Sequence, residues 1–372
     1  MRRVLLLAIF LVSLPAAAHK PSDSYLTLSV EGSRVDVQWD IALRDLEYAI
    51  GIDANGDGAI TWEELRARHE AISAYALARL AITTDGAACS STDVAHQVDR
   101  HSDGTYAVLR FAAVCPKNTR TLEARYALFF DLDPLHRGLA RVEQRGESRS
   151  LIFGPEQPVQ KLAGGERPLL AEVLDFVREG VWHIWTGFDH VLFLLSLLLP
   201  AVLAREAGRW VPLPGFRQAL CKTFVIVTAF TLAHSLTLTL AALEVVALPS
   251  RWVESAIAAS VMIAALNNVY PLLERRLWLV AFLFGLIHGF GFASVLRDLG
   301  LPRDNLLPAL VSFNLGVEAG QIVIVAALLP VAFGLRQTWL YRRLTLSAGS
   351  LLIGAVACVW LFERAFELRL FS

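Results

Sequence analysis

From residue 183 onward the sequence holds six apolar runs, near 183–203, 222–246, 252–273, 277–297, 306–333 and 343–363. Runs of about 20 residues cross the hydrocarbon of a bilayer as helices, because only a helix bonds every backbone N–H and C=O within its own segment. Residues 183–372 are therefore expected to form an all-α bundle of six transmembrane helices. The 55% hydrophobic composition and mean hydropathy of +0.48 fit a membrane protein better than an ordinary soluble domain. A formal net charge of -1 supplies no field for nucleic acid, so the lipid bilayer is the expected partner.

Ionisable residues sit where they are expensive. The first run reads HIWTGFDHVLFLLSLLL, with His183, Gly187 and His190 spaced i, i+4, i+7 on one helical face and Asp189 beside the last. Later runs contribute His234, His288, Glu254, Asn314 and Glu318. Groups of this kind inside a span face the bundle interior or an ion path. Imidazoles with carboxylates suit a divalent transition metal. The expected metal set is His183, Asp189, His190, His234, His288, Asn314 and Glu318. With a rise of about 1.5 Å per residue, His190 lies roughly 10 Å below the outer surface, Asn314 about 12 Å and Glu318 about 18 Å. His234 and His288 fall near mid-span, the depth at which transporter sites tend to lie. Thr228, Thr231, His234 and Ser235 form one polar stripe, and Glu254 with Asn268 another. For Asn267, Asn268 and Gln321 a plain helix-to-helix hydrogen bond is an equal reading. Gly285, Gly289 and Gly291 around His288 predict close helix approach.

The N-terminus reads as a signal peptide over residues 1–18: Arg2 and Arg3, an apolar run, Pro15 and three alanines. Cleavage after Ala18 would leave His19 as a free N-terminus, a possible chelate for copper or nickel. Arg205, Arg209, Arg217 and Lys222 join runs one and two; Arg275 and Arg276 join three and four; Arg336, Arg342 and Arg343 join five and six. Those loops are expected in the cytoplasm, which leaves the N-terminal half outside.

Residues 19–167 alternate in short runs such as SYLTLSV and SRVDVQWDIAL, the pattern of strands with one buried face. An exported β-sandwich-like domain with a helical EF-hand insertion is expected. The insertion carries DANGDGAITWEE, residues 53–64. Asp53, Asn55 and Asp57 offer side-chain oxygens, Gly58 the sharp turn and Ala59 a carbonyl. Thr61 holds position nine and Glu64 the bidentate position twelve, so the loop predicts one bound Ca2+. Cys89 and Cys115 flank a polar excursion and are expected to form a disulfide. His69, His96, His101 and His136 lack metal-ligand spacing and are expected on the surface. Residues 168–182 are amphipathic, predicting a helix on the membrane surface that leads into the first span.

Five membrane segments together carry a resemblance: HxxxGxDH, TLAHS, VESAIAAS with the following NN, IHGFGFA and FNLGVEAGQ. They resemble the HupE/UreJ family of hydrogenase and urease accessory membrane proteins, in the branch whose exported domain begins HKPSDSYL. The resemblance implies a permease for Ni2+ or another divalent transition metal in a bacterial inner membrane, with the N-terminal domain in the periplasm. It carries over His183, Asp189, His190, His234 and His288 as motif positions, and implies metalloenzyme maturation proteins as partners. A transporter is the leading reading. An intramembrane zinc hydrolase, with Glu318 as base, is the alternative. A haem carrier with two axial histidines is a third, which the acidic neighbours fit poorly.

Overall fold

The computed structural model describes residues 23–366, apart from 102–103, 118–120, 145–146, 164–168, 207–208, 247, 271–272, 274–275 and 293–302. The expected signal peptide and His19 lie outside the described residues.

The N-terminal half is β-rich. Strands β1 (Asp23–Glu31), β2 (Arg34–Ala42), β5 (Ser90–Ser91), β6 (Ala95–His101), β7 (Gly104–Val114), β9 (Arg137–Gln144) and β10 (Glu147–Phe153) build one sheet. Its order is β10-β9-β1-β2-β7-β5, with β6 also on β7. A four-stranded sheet, ordered β11-β8-β3-β4, combines β3 (Leu80–Thr84), β4 (Ala87–Ala88), β8 (Thr121–Tyr126) and β11 (Val159–Ala163). Period-two alternation decides what lies between them. Leu26, Leu28, Val35, Val37, Trp39 and Ile41 point inward and meet Ile82, Leu122, Ala124 and Tyr126 of the smaller sheet. Cys89 and Cys115 form the expected disulfide, with Cα atoms 4.2 Å apart.

The helical insertion shares this core. Helices α1 (Leu43–Ile50), α2 (Trp62–Ala67) and α3 (His69–Leu77) supply buried Leu46, Leu65 and Ile72. Between α1 and α2 the chain turns tightly on itself. Asp53 accepts from the Gly56 and Gly58 amides at 2.7 and 2.8 Å. Asn55 accepts from Asp57 and Asp57 from Ala59, each at 2.8 Å. Glu64 Oε1 reaches back to the Ala54 amide at 3.0 Å, while Oε2 accepts from the Thr61 amide and hydroxyl. Thr61 in turn caps α2 in a reciprocal capping box. Gly58, at φ 82°, supplies a turn that a side chain would strain. Hydrogen bonds from Thr61 hold the Glu64 carboxyl below the usual carboxylate range, so it stays ionised.

The surface expectation is corrected for His136 and His101, while His69 and His96 are half-buried. His136 is fully buried and shares a short 2.6 Å hydrogen bond with Tyr126, which bonds Ser24. His101 is largely buried and pairs with Asp40 at 3.1 Å. His96 lies against His69 with the rings tilted, centroids 3.6 Å apart; burial first, and that neighbour second, push its pKa down to about 4.

The second half is helical: α4 (Leu169–Thr186), α5 (Phe188–Leu198), α6 (Phe216–Ala242), α7 (Ser250–Val269), α8 (Leu277–Gly289), α9 (Arg303–Leu335), a π-helix over Leu340–Ala348 and α10 (Gly349–Phe366). Among the described residues four helices are long and apolar enough to cross a membrane, five if α4 and α5 form one bent span. Helix α8 is apolar but only 13 residues long. A hairpin of β12 (Leu203–Glu206) and β13 (Arg209–Pro212) joins α5 to α6.

Helix α4 covers most of the expected helix over 168–182. It runs on through His183 to Thr186, and it lies along α9. Gly180 and Gly316 form the crossing. A Cβ on Gly180 would collide with the Phe313 carbonyl, and one on Gly316 with the Val177 carbonyl.

The two halves meet through an apolar cluster. Tyr25, Ala42, Tyr106 and Leu139, on the outer face of the large sheet, pack with Phe176, Ile184, Leu238, Leu306, Leu310 and Phe313 of the helices. Register explains why these β residues act together: Tyr25 sits beside Leu139, and Ala42 beside Tyr106. Arg137 reinforces the contact, 4.0 Å from Glu179 and 5.8 Å from the Trp182 ring.

Candidate metal centre

The expected continuous face bearing His183, Gly187 and His190 is broken. Helices α4 and α5 bend by 70° at Gly187, yet the bend itself brings the two imidazoles together. Amide bonds carry the chain around the corner: Gly187 N donates to the His183 carbonyl and Val191 N to the Gly187 carbonyl. A Cβ on Gly187 would stand 2.8 Å from both the His183 carbonyl and His190 Nδ1. Without one, the His183 and His190 rings approach edge to face at 4.7 Å.

His234 of α6 completes a group of three. Its ring lies 6.2 Å from His183 and 6.1 Å from His190, and one nitrogen from each of the three falls within 4.8 Å of the others. His288, near the end of α8, stacks edge-on to His190 at 5.0 Å. Gly289 makes that approach possible, because a Cβ there would meet Thr237 and the His234 carbonyl. Phe193, Phe230, Phe292 and Phe313 surround the rings and give the site apolar walls.

Each neutral imidazole has one N–H and one lone pair, and the neighbours decide which nitrogen carries which. Asp189 Oδ1 lies 2.8 Å from His190 Nδ1 and accepts its proton. Asn314 donates through Nδ2 to the Leu310 carbonyl, which turns its Oδ1 toward His234 Nδ1 at 3.3 Å. Ser260 donates its one hydroxyl proton to the Ile257 carbonyl, so at 2.9 Å it accepts from His288 Nε2. The opposite nitrogens are thereby left with lone pairs. These are His190 Nε2, His234 Nε2 and His288 Nδ1, and together with His183 Nε2 they are buried without a hydrogen-bond partner among the described residues. Buried polar atoms are normally satisfied, so four such nitrogens in one site call for an explanation. Imidazoles held this way by a carboxylate, an amide and a hydroxyl have the arrangement seen behind metal ligands.

Of the expected set, His183, His190, His234 and His288 converge, and Asp189 and Asn314 stand behind two of them. Glu318, one turn beyond Asn314 on α9, is half-buried and outside the three-histidine group. Asn268 and Gln321 take the structural role: Asn268 donates to the Ser196 carbonyl and Ser350, and Gln321 accepts from Thr231. Two residues went unanticipated. Ser260 lies within the VESAIAAS string but reads as a packing serine. Arg364, 3.7 Å from Asp189, stands one residue beyond the last expected span.

A bundle of apolar helices that holds a buried four-histidine site beneath a β-rich domain defines the class: a multi-pass membrane protein. A family model described as HupE / UreJ protein matches residues 161–364, more than half of the chain, and the chain belongs to that family. No curated protein matches it.

Ser260→Ala should free His288 to change tautomer or rotate. Losses of this kind typically lower metal affinity about 10- to 100-fold. Nickel titration of the purified, folded variant checks this; affinity equal to that of the unmutated protein would remove Ser260 from the site.

Proposed function

We propose that this chain is a permease for a divalent transition metal of the nickel and cobalt class, which is its substrate. The observation that carries the reading is the set of four unpartnered imidazole nitrogens buried inside a membrane helix bundle. An ion entering such a place loses water, and neutral nitrogen ligands replace it. Membership of the HupE/UreJ family supports the same role. In this reading His183, His190, His234 and His288 bind the ion, Asp189 and Asn314 orient them, and Glu318 serves a later step along α9.

The proposal includes six spans, with α4–α5 as the bent first one and α8 as part of the fourth. Arginine-rich loops then face the cytoplasm and the N-terminal domain lies in the periplasm after removal of residues 1–18. The ion moves inward, toward metalloenzyme maturation proteins. The family match gives the zinc hydrolase alternative no support.

The 53–64 loop is proposed to be an EF-hand that holds one Ca2+. Its donors are all oxygen, and its helix–loop–helix setting between α1 and α2 suits that ion. Asp53, Asn55, Asp57, the Ala59 carbonyl, Thr61 and Glu64 would hold it, and the bound charge would fix the insertion against the sandwich.

Purified protein in vesicles containing a metal-sensitive dye should take up Ni2+ or Co2+, and His190→Ala should abolish uptake at equal insertion. Equal uptake by the variant, or none by the unmutated protein, would overturn the permease. Glu64→Ala in the full chain should remove the rise in melting temperature that calcium produces, because ligand binding to the folded state is what raises it. An undiminished rise would show that the loop binds no calcium through Glu64.

A further inference from the structure

We propose that Arg364 is the resident counter-cation of the histidine site, a built-in competitor that keeps substrate binding weak enough for release; this rests on the permease reading. Asp189 divides its two oxygens between opposing tasks. Oδ1 accepts from the His190 amide at 2.9 Å and from the His190 ring at 2.8 Å. Oδ2 faces Arg364 Nη2 at 3.7 Å. The same carboxylate therefore orients a ligand and neutralises a fixed cation.

Arg364 is held in place from behind. Its Nη1 donates to the Glu254 carbonyl on α7 at 3.2 Å, and its guanidinium lies 5.6 Å from the Trp360 ring. From the other side Arg251 donates to the Ala365 carbonyl, which pins the end of α10 to the start of α7. An arginine near the end of a span commonly extends toward lipid headgroups. Here it turns inward, with 22% of its side chain exposed and 19% of that of Asp189.

Charge sets the consequence. With neutral imidazoles, Asp189 and Arg364 cancel. A divalent ion adds two positive charges to a site whose Asp189 carboxylate already faces a guanidinium that cannot lose its proton. Both cations draw on one carboxylate, in an apolar setting where salt screens little. Binding must work against Arg364, and its repulsion assists departure. A site of four imidazoles and an uncompensated carboxylate would hold a nickel-class ion tightly and turn over slowly.

Equilibrium Ni2+ binding to the full chain in nanodiscs and Ni2+ flux in vesicles test this together. Arg364→Gln should bind Ni2+ about tenfold tighter or more and transport it more slowly, the scale expected for one unit charge near a divalent ion. Arg364→Lys, which keeps the charge, should behave much like the unmutated protein. Should the glutamine variant fail to assemble, Arg364→Met, which keeps the stem over Trp360, makes the same comparison. Unchanged or weaker binding by folded Arg364→Gln or Arg364→Met would overturn the proposal, as would equal disruption by Arg364→Lys, which would mark a purely structural tie to α7. If the unmutated protein binds no Ni2+, the permease reading itself fails, a result distinct from these.

Discussion

Four imidazole nitrogens are kept in an apolar interior with nothing to bond, and the helical half is arranged around that cost. An unsatisfied buried polar group costs about 1–3 kcal/mol. Such a group persists only if the surroundings prevent the side chains from turning to a partner. The partners that do exist are on the other edge of three rings: Asp189, Asn314 and Ser260. Each is itself fixed, Asn314 by the Leu310 carbonyl and Ser260 by the Ile257 carbonyl. The glycines answer the same demand. Gly187 lets the chain bend under His190, and Gly289 lets α8 lie against α6 beside His234.

The β-rich domain is part of this arrangement. Its outer-face residues Tyr25, Tyr106 and Leu139 share a cluster with Phe313, whose ring lies 5.4 Å from His183. Phe292 stacks on Phe313 at 4.6 Å and also touches His183. Aromatic side chains thus stand between the sheet and the first histidine. On the permease reading, an ion approaching from that side must pass under the domain, which makes the sheet a cover over the site.

Much of this was legible in the sequence because long apolar runs and period-two strands are strong patterns. The histidines could be singled out because ionisable groups are costly in such runs. The bend at Gly187 was not legible: His183, Gly187 and His190 satisfy helical spacing, and only the loss of helical ψ at the glycine separates a bent face from a straight one. The amphipathic stretch over 168–182 fits a membrane surface as well as it fits α9, since both offer apolar contact. The Gly180–Gly316 crossing joins residues far apart in the sequence, so the packing on α9 could not be read from the stretch itself. Ser260 and Arg364 escaped for a related reason. A serine or an arginine gains meaning only from what it faces, and His288 and Asp189 lie on other helices. His136 and His101 look like surface residues in one dimension; the rings of Tyr126, Phe129 and Phe130 enclose the first, and those of Tyr25 and Tyr106 pack on the second.

The permease reading requires the convergent imidazoles of His183, His190 and His234 to hold one transition-metal ion. X-ray absorption at the nickel edge, on purified full-length protein carrying one equivalent of Ni2+, reads the ligands directly. A shell containing at least three imidazole nitrogens, with their characteristic multiple scattering, is predicted from the convergent group of His183, His190 and His234. A shell of oxygen alone, or failure to retain the ion, would contradict it.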